Sequence, residues 1–172
     1  MLPLPVQAQV SSVFGMIAVD VDGDGNLDVV INGNDYGTEV SVGRYDALNG
    51  LVLKGDGKGG FTPMPIQQSG VYISGNGKAL VKLSNKNGQC LLAASQNSGP
   101  LKMFLLKGET KKLDVQPGDR YAVIILKDGR KRREELNYGA GFLSQSARFI
   151  NIDSQVKSVE ITDAKNKTRR VL

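Results

Sequence analysis

The chain has 172 residues with 40 % hydrophobic content, enough to bury the core of one large β unit or two modest domains, and a formal charge of +5 from 22 Lys and Arg against 17 Asp and Glu. It contains no His, no Trp and a single Cys, which excludes imidazole acid–base catalysis, a histidine-rich zinc site and any internal disulfide. No run of 18 apolar residues occurs, so no helical membrane span is expected.

At the start, residues 1–6 lack the basic segment and apolar core of a signal peptide, so a location outside the cytoplasm implies a longer precursor of which this chain is the C-terminal part. Next come two short apolar, β-branched runs, residues 14–19 and 29–31, which read as strands joined by Asp20-Val21-Asp22-Gly23-Asp24-Gly25-Asn26-Leu27-Asp28. Four carboxylates in nine residues call for a cation, because two unit charges about 4 Å apart repel by roughly 4 kcal/mol at an effective dielectric near 20. Calcium fits best: it accepts several oxygen ligands in flexible geometry, and Gly25 allows the bend that brings the main-chain carbonyl of Asn26 round to join Asp20, Asp22, Asp24 and Asp28. An EF-hand is excluded, since its closing Glu position is Ile31 and the flanks are not helical. The plain alternative is a solvated Asp/Gly turn.

Residues 36–49 look like an insertion whose polar loop carries Tyr36, Arg44, Tyr45 and Asp46, a place where a binding surface can be built. Gly55-Asp56-Gly57-Lys58-Gly59-Gly60-Phe61 is a Gly-rich hairpin turn; no Walker Lys-Ser/Thr pair or helix follows to make it a phosphate loop. A shift of 62 residues lays residues 15–21 on 77–83 and 28–31 on 90–93, which is an internal repeat of the apolar pattern. In that alignment Asp20, Asp22, Asp24 and Asp28 fall on Lys82, Ser84, Lys86 and Cys90, so the second copy is expected to lack a metal. Cys90 lies in an apolar run and reads as a small core residue. One further strand of this copy is expected over residues 100–106.

After a polar connector at 108–112, strands are expected over 111–115, 121–126, 130–136, 147–152, 156–162 and 168–172. Asp128-Gly129 is a two-residue hairpin signal between the second and third of these. Ser144, in Leu143-Ser144-Gln145-Ser146, lacks a nucleophile elbow and is expected to cap its Gly-rich loop. Glu134 and Glu135 are neighbours on a strand and face opposite ways, so they do not form a glycosidase carboxylate pair with each other.

Phe14-Gly15 followed by the Asp-x-Asp-x-Asp-Gly-x-x-Asp loop, with the Gly-rich turn at 55–61, resembles an FG-GAP or VCBS repeat of the integrin-like β-propeller type. The stretch 128–135, then Tyr138-Gly139-Ala140-Gly141-Phe142-Leu143-Ser144-Gln145-Ser146, then 156–161, resembles an ASPIC/UnbV domain. It departs from that family where a Trp-Pro-x-Gly turn is replaced by residues 162–167. The two resemblances imply an all-β chain: propeller-blade-like repeats over 1–107, with blade one about 12–63 and a degenerate blade two about 71–107, then a small antiparallel sandwich or barrel-like domain over 108–172. They also imply a calcium ion held by Asp20, Asp22, Asp24, Asn26 and Asp28.

The expected function is that of a non-enzymatic, calcium-binding interaction module, extracellular or on the cell surface, whose partner is a protein or a cell-surface glycan. Lys127, Arg130, Lys131, Arg132 and Arg133 form a candidate patch for an acidic ligand. They raise the alternative of a basic nucleic-acid-binding surface, which the 6 % aromatic content and the scarcity of interleaved rings disfavour. A further alternative is an accessory domain of a glycan-active enzyme.

Overall fold

A computed structural model of the protein describes residues 3–108 and 110–172; Met1 and Leu2 of the N-terminal segment and Glu109 of the polar connector lie outside the described residues. Strand makes up 46 % and helix 4 %, so the chain is all-β, built of several antiparallel sheets that form no closed barrel among the described residues.

The first sheet is a meander of β1 (Val13–Val19), β2 (Asp28–Gly33), β3 (Leu51–Gly55) and β4 (Phe61–Met64), hydrogen-bonded in that order. On β1 the alternation is plain: Gly15, Ile17 and Val19 are buried while Val13 and Met16 are exposed. After the short helix α1 (Ile66–Ser69) comes a second meander, β5 (Gly77–Ser84), β6 (Cys90–Gln96) and β7 (Lys102–Leu105). The two sheets meet along β1 and β5. That approach needs glycine, since a Cβ on Gly15 would stand 2.7 Å from Leu80 Cβ and 2.9 Å from the Lys78 carbonyl oxygen. Phe14, beside it, is capped by Phe142, with ring centroids 5.0 Å apart, and by Lys78 Nζ, 3.6 Å from its centroid.

The internal repeat is present in the strands, but its register is more exact than a single shift allows. Asp28 pairs with Val19 in the first hairpin, whereas Cys90, 62 residues later, pairs with Ser84, which is 65 residues after Val19. The second hairpin is therefore three residues shorter, and the position equivalent to Asp20 is Asn85 rather than Lys82. Asn85 Oδ1 accepts from the amides of Asn87 and Gln89, as Asp20 does from those of Gly23 and Gly25. Lys82 and Ser84 lie on β5 itself.

The remaining strands are β8 (Lys111–Asp114), β9 (Asp119–Leu126), β10 (Lys131–Glu135), β11 (Phe149–Ile152), β12 (Val156–Asp163) and β13 (Thr168–Arg170). They form one sheet in the order β10-β9-β12-β13 and a two-stranded ribbon of β11 and β8. The turn at Asp128-Gly129 is one residue longer than expected, because Leu126 and Arg130 bond each other and enclose Lys127, Asp128 and Gly129. Gly129, at φ +88, supplies the left-handed residue of that three-residue loop.

Two cores result. Ile17, Val30, Val52, Leu80, Leu92 and Cys90 belong to the first; Ala122, Ile124, Leu126, Val159 and Ile161 belong to the second. Strand β11 joins them. Its neighbours Phe149 and Ile150 point to opposite faces, so Phe149 fills the first core while Ile150 fills the second. Each is at most 2 % exposed, a burial that stabilises by about 1.5–3 kcal/mol per side chain. The amide of Lys82 donates to Ser146 Oγ at 3.0 Å and that of Ala147 to the Lys82 carbonyl at 2.8 Å, closing the seam.

The loop before β11 is held by Arg148 rather than by Ser144. Ser144 Oγ has no hydrogen-bond partner, and the capping expected of it falls to Gln145 Oε1, which accepts from the Gly139 amide. Arg148 donates to the carbonyls of Leu136 (2.8 Å) and Asp119 (2.6 Å) and to the Tyr138 hydroxyl (2.6 Å). Replacing it with alanine leaves those acceptors unpaired and is expected to lower stability by about 2–3 kcal/mol in urea unfolding. Arg148→Lys should recover only part of this, because an ammonium cannot span the same acceptors.

Candidate metal centre

The Asp20–Asp28 loop closes the β1–β2 hairpin, with Gly23 and Gly25 at φ +78 and +86. Local side-chain bonds shape it. Asp20 Oδ1 accepts from the Gly23 amide at 2.7 Å and Oδ2 from the Gly25 amide at 2.8 Å, while the Asn26 amide donates to Asp24 Oδ1 at 2.8 Å. These are turn-forming bonds that Asp makes with its own backbone. Asp28 opens β2 and is fully buried, accepting from the Val21 amide at 2.8 Å and the Gly55 amide at 2.9 Å, which ties the loop to β3.

One carboxylate oxygen from each of Asp20, Asp22 and Asp28 lies within 4.8 Å of the others. This is the span across which oxygens at about 2.3–2.6 Å from a common calcium ion stand, so the residues present fit a hard divalent cation. Burial pushes the Asp28 carboxyl up, and the charges of Asp22 and Asp20 add to it. Burial likewise raises Asp20. A cation would relieve both effects.

Of the four carboxylates expected, the structure brings together these three. Asp24 turns to Lys54, whose Nζ stands 3.1 Å from Asp24 Oδ2 and also contacts Asp22 Oδ2. The ammonium thus sits where positive charge is wanted, and hydrogen bonds to Asp22 and Asp24 push the Lys54 pKa upward. The Asn26 side chain accepts from Arg130.

Arg130 and Arg132 are the contacts that sequence reasoning missed. Arg130 Nη2 donates to the Asp24 carbonyl at 2.9 Å, and Arg132 Nη1 reaches Asp20 Oδ2 at 3.3 Å and the Gly25 carbonyl at 3.1 Å. Two members of the candidate acidic-ligand patch are therefore engaged with the acidic loop. Arg133 stacks on the Tyr121 ring at 3.8 Å and pairs with Glu135 at 2.7 Å, while Lys127 and Lys131 are exposed. No local signal links residue 20 to residue 132. The Gly-rich turn at 55–61 also packs here: a Cβ on Gly57 would lie 2.6 Å from Asn26 Oδ1. Cys90 is fully buried, and burial pushes its thiol pKa up, away from nucleophilic use.

In the 36–49 segment, Arg44 lies over the Tyr36 ring at 4.7 Å and the Tyr36 hydroxyl donates to Asp46. The segment is anchored by fully buried Asn34, whose side chain bonds the carbonyl of Leu48 at 2.6 Å and its amide at 2.9 Å.

A scan against protein-family models and a search of curated proteins each found no match to the chain.

Proposed function

We propose that the protein is a calcium-stabilised, non-enzymatic interaction module that works outside the cell or at its surface. Its first part serves as FG-GAP-like propeller-blade repeats and its second as an ASPIC/UnbV-like β-domain. The observation that carries this reading is the convergence of the Asp20, Asp22 and Asp28 oxygens within 4.8 Å on a loop between two strands. The two meander sheets at repeat spacing, and the FG-GAP-like and ASPIC/UnbV-like motifs quoted above, support it. When bound, the ion supplies positive charge that the crowded carboxylates lack; the chain's residues fix the loop so that the carboxylates face one another. Nucleic-acid binding is disfavoured, because Arg130 and Arg132 are engaged within the molecule.

Calcium should raise the melting temperature by binding the folded state, with a stabilisation of about 2.7 kcal/mol at a free concentration one hundred times Kd. That corresponds to a shift of roughly 5–10 °C for a chain of this size. Asp22→Ala with Asp24→Ala should abolish the shift, and Mg²⁺ should substitute poorly because it demands a stricter octahedron. Melting curves that coincide in calcium and in excess chelator overturn the metal assignment.

A further inference from the structure

Between the two halves lies a cavity of about 340 Å³, walled by the end of β1, the acidic loop, β5, β10, β11 and the turn after β11. It adjoins the acidic loop, yet most of its polar wall comes from residues with no part in holding a cation: Lys82, Arg132, Glu134, Asn151 and Asp153.

Two of these carry buried polar atoms that form no hydrogen bond among the described residues. Asn151 is 9 % exposed and its Oδ1 accepts nothing; the Arg132 side chain is 9 % exposed and its Nε donates to nothing. Glu134 Oε1 lies 3.2 Å from that Nε, close enough for charge attraction, but it forms no hydrogen bond there. A buried donor or acceptor without a hydrogen bond is unfavourable, so such a pair in one cavity wall calls for a ligand group that gives and takes hydrogen bonds together. A hydroxyl does both.

Charge narrows the class further. Among the described residues the wall holds Asp20, Glu134 and Asp153 against Lys82, Lys107 and Arg132, three charges of each sign. A phosphate or polyanion would find three carboxylates, and a polyamine three cations. Val19 and Leu106 add an apolar side suited to C–H groups. The volume lies at the small end of the roughly 300–1,000 Å³ typical of ligand pockets, which suits one sugar ring and at most two.

We propose that this cavity binds a neutral sugar residue, its hydroxyls bridging Asn151 Oδ1, Arg132 Nε and the Glu134 carboxylate. The inference rests on the interaction-module reading and makes glycan its partner class, but it does not rest on the metal.

The test is a ¹H–¹⁵N chemical-shift titration of the whole chain, in calcium-containing buffer, with D-glucose, D-galactose, D-mannose and N-acetyl-D-glucosamine. At least one sugar should give saturable shifts at Gly23, Asn151 and Ser154, with a Kd of about 1 mM or tighter. Asn151→Leu removes an unsatisfied buried acceptor at similar volume, so it should keep or raise the melting temperature while weakening sugar binding more than tenfold. Glu134→Gln, which keeps the shape, should also weaken it more than tenfold, and Lys165→Ala, on a distant turn, should leave it unchanged. Three results overturn the proposal: no saturable shift with any of the four sugars; undiminished binding in both Asn151→Leu and Glu134→Gln; or shifts at these amides with glycine or inorganic phosphate in place of the sugars. Melting in calcium against chelator reports on the metal separately, so loss of one reading is told apart from loss of the other.

Discussion

Replacing Asp119 with alanine is expected to cost about 3 kcal/mol at neutral pH and to remove an acid-sensitive part of the chain's stability. Asp119 is 3 % exposed at the start of β9, and both its oxygens receive Arg169 of β13, Nη1 on Oδ1 and Nη2 on Oδ2, each at 2.6 Å. Oδ2 also accepts from the Gln116 amide at 2.7 Å, fixing the turn that enters β9. Two parallel bonds to one carboxylate make a strong charge-assisted pair. Breaking a buried pair by deleting one partner costs about 3–5 kcal/mol, and the lower end applies because the Arg169 side chain is 31 % exposed to screening solvent.

The sign of the pH effect follows from the direction of the shift. Hydrogen bonds from Arg169, aided by the Gln116 amide and the charges of Arg169 and Arg148, hold the folded carboxyl below its ordinary value. An unfolded Asp titrates near about 3.9, so the pair's contribution is full above that pH and disappears as pH falls through the lower folded value. The stability gap between wild type and Asp119→Ala, read from urea midpoints, should thus be constant from about pH 7 to pH 5 and shrink toward about pH 2. A gap that stays constant to about pH 2 would show that the pair does not form.

Gly55→Ala is expected to be as damaging, by about 3 kcal/mol, for a steric reason. A Cβ at this position would stand 2.1 Å from the Leu27 carbonyl oxygen, a backbone atom that cannot swing aside. Relief requires moving β3 away from the acidic loop. That movement breaks the bond from the Gly55 amide to Asp28 Oδ1 and with it the placement of one cluster carboxylate. In this variant the calcium-dependent melting shift proposed above should therefore be lost, together with stability in chelator. Gly118→Ala provides the contrast: it meets no atom within 4 Å and has an ordinary φ, so it should be neutral or slightly stabilising. Equal melting of Gly55→Ala and wild type would contradict the close approach of β3 and the loop.

The strands were legible because their signals are local. β9 carries the apolar run Ala122–Leu126 after Pro117 and Gly118, β12 carries Val156, Val159 and Ile161, and both lie within one or two residues of where their residue types put them. The loop carboxylates were legible for the same reason, since Asp at alternate positions bonds its own backbone and turns in place. The length of the Asp128-Gly129 turn and the three-residue slip in the repeat were not, because hairpin register depends on which residues pair across the strands.

What the sequence by itself determined is an all-β chain, its strand positions, and an acidic loop able to hold a cation. The tertiary structure alone decided what surrounds that loop. Arg130 and Arg132 look in the sequence like a free basic patch, yet they reach Asn26, Asp24, Asp20 and Gly25 from more than a hundred residues away. Asn151 and Glu134 come to share a cavity wall with Asp20 only because Phe149 and Ile150 anchor β11 in two different cores. Periodicity and turn chemistry act over a few residues, whereas the partner of a long charged side chain is set by how distant sheets pack, and no local pattern encodes that.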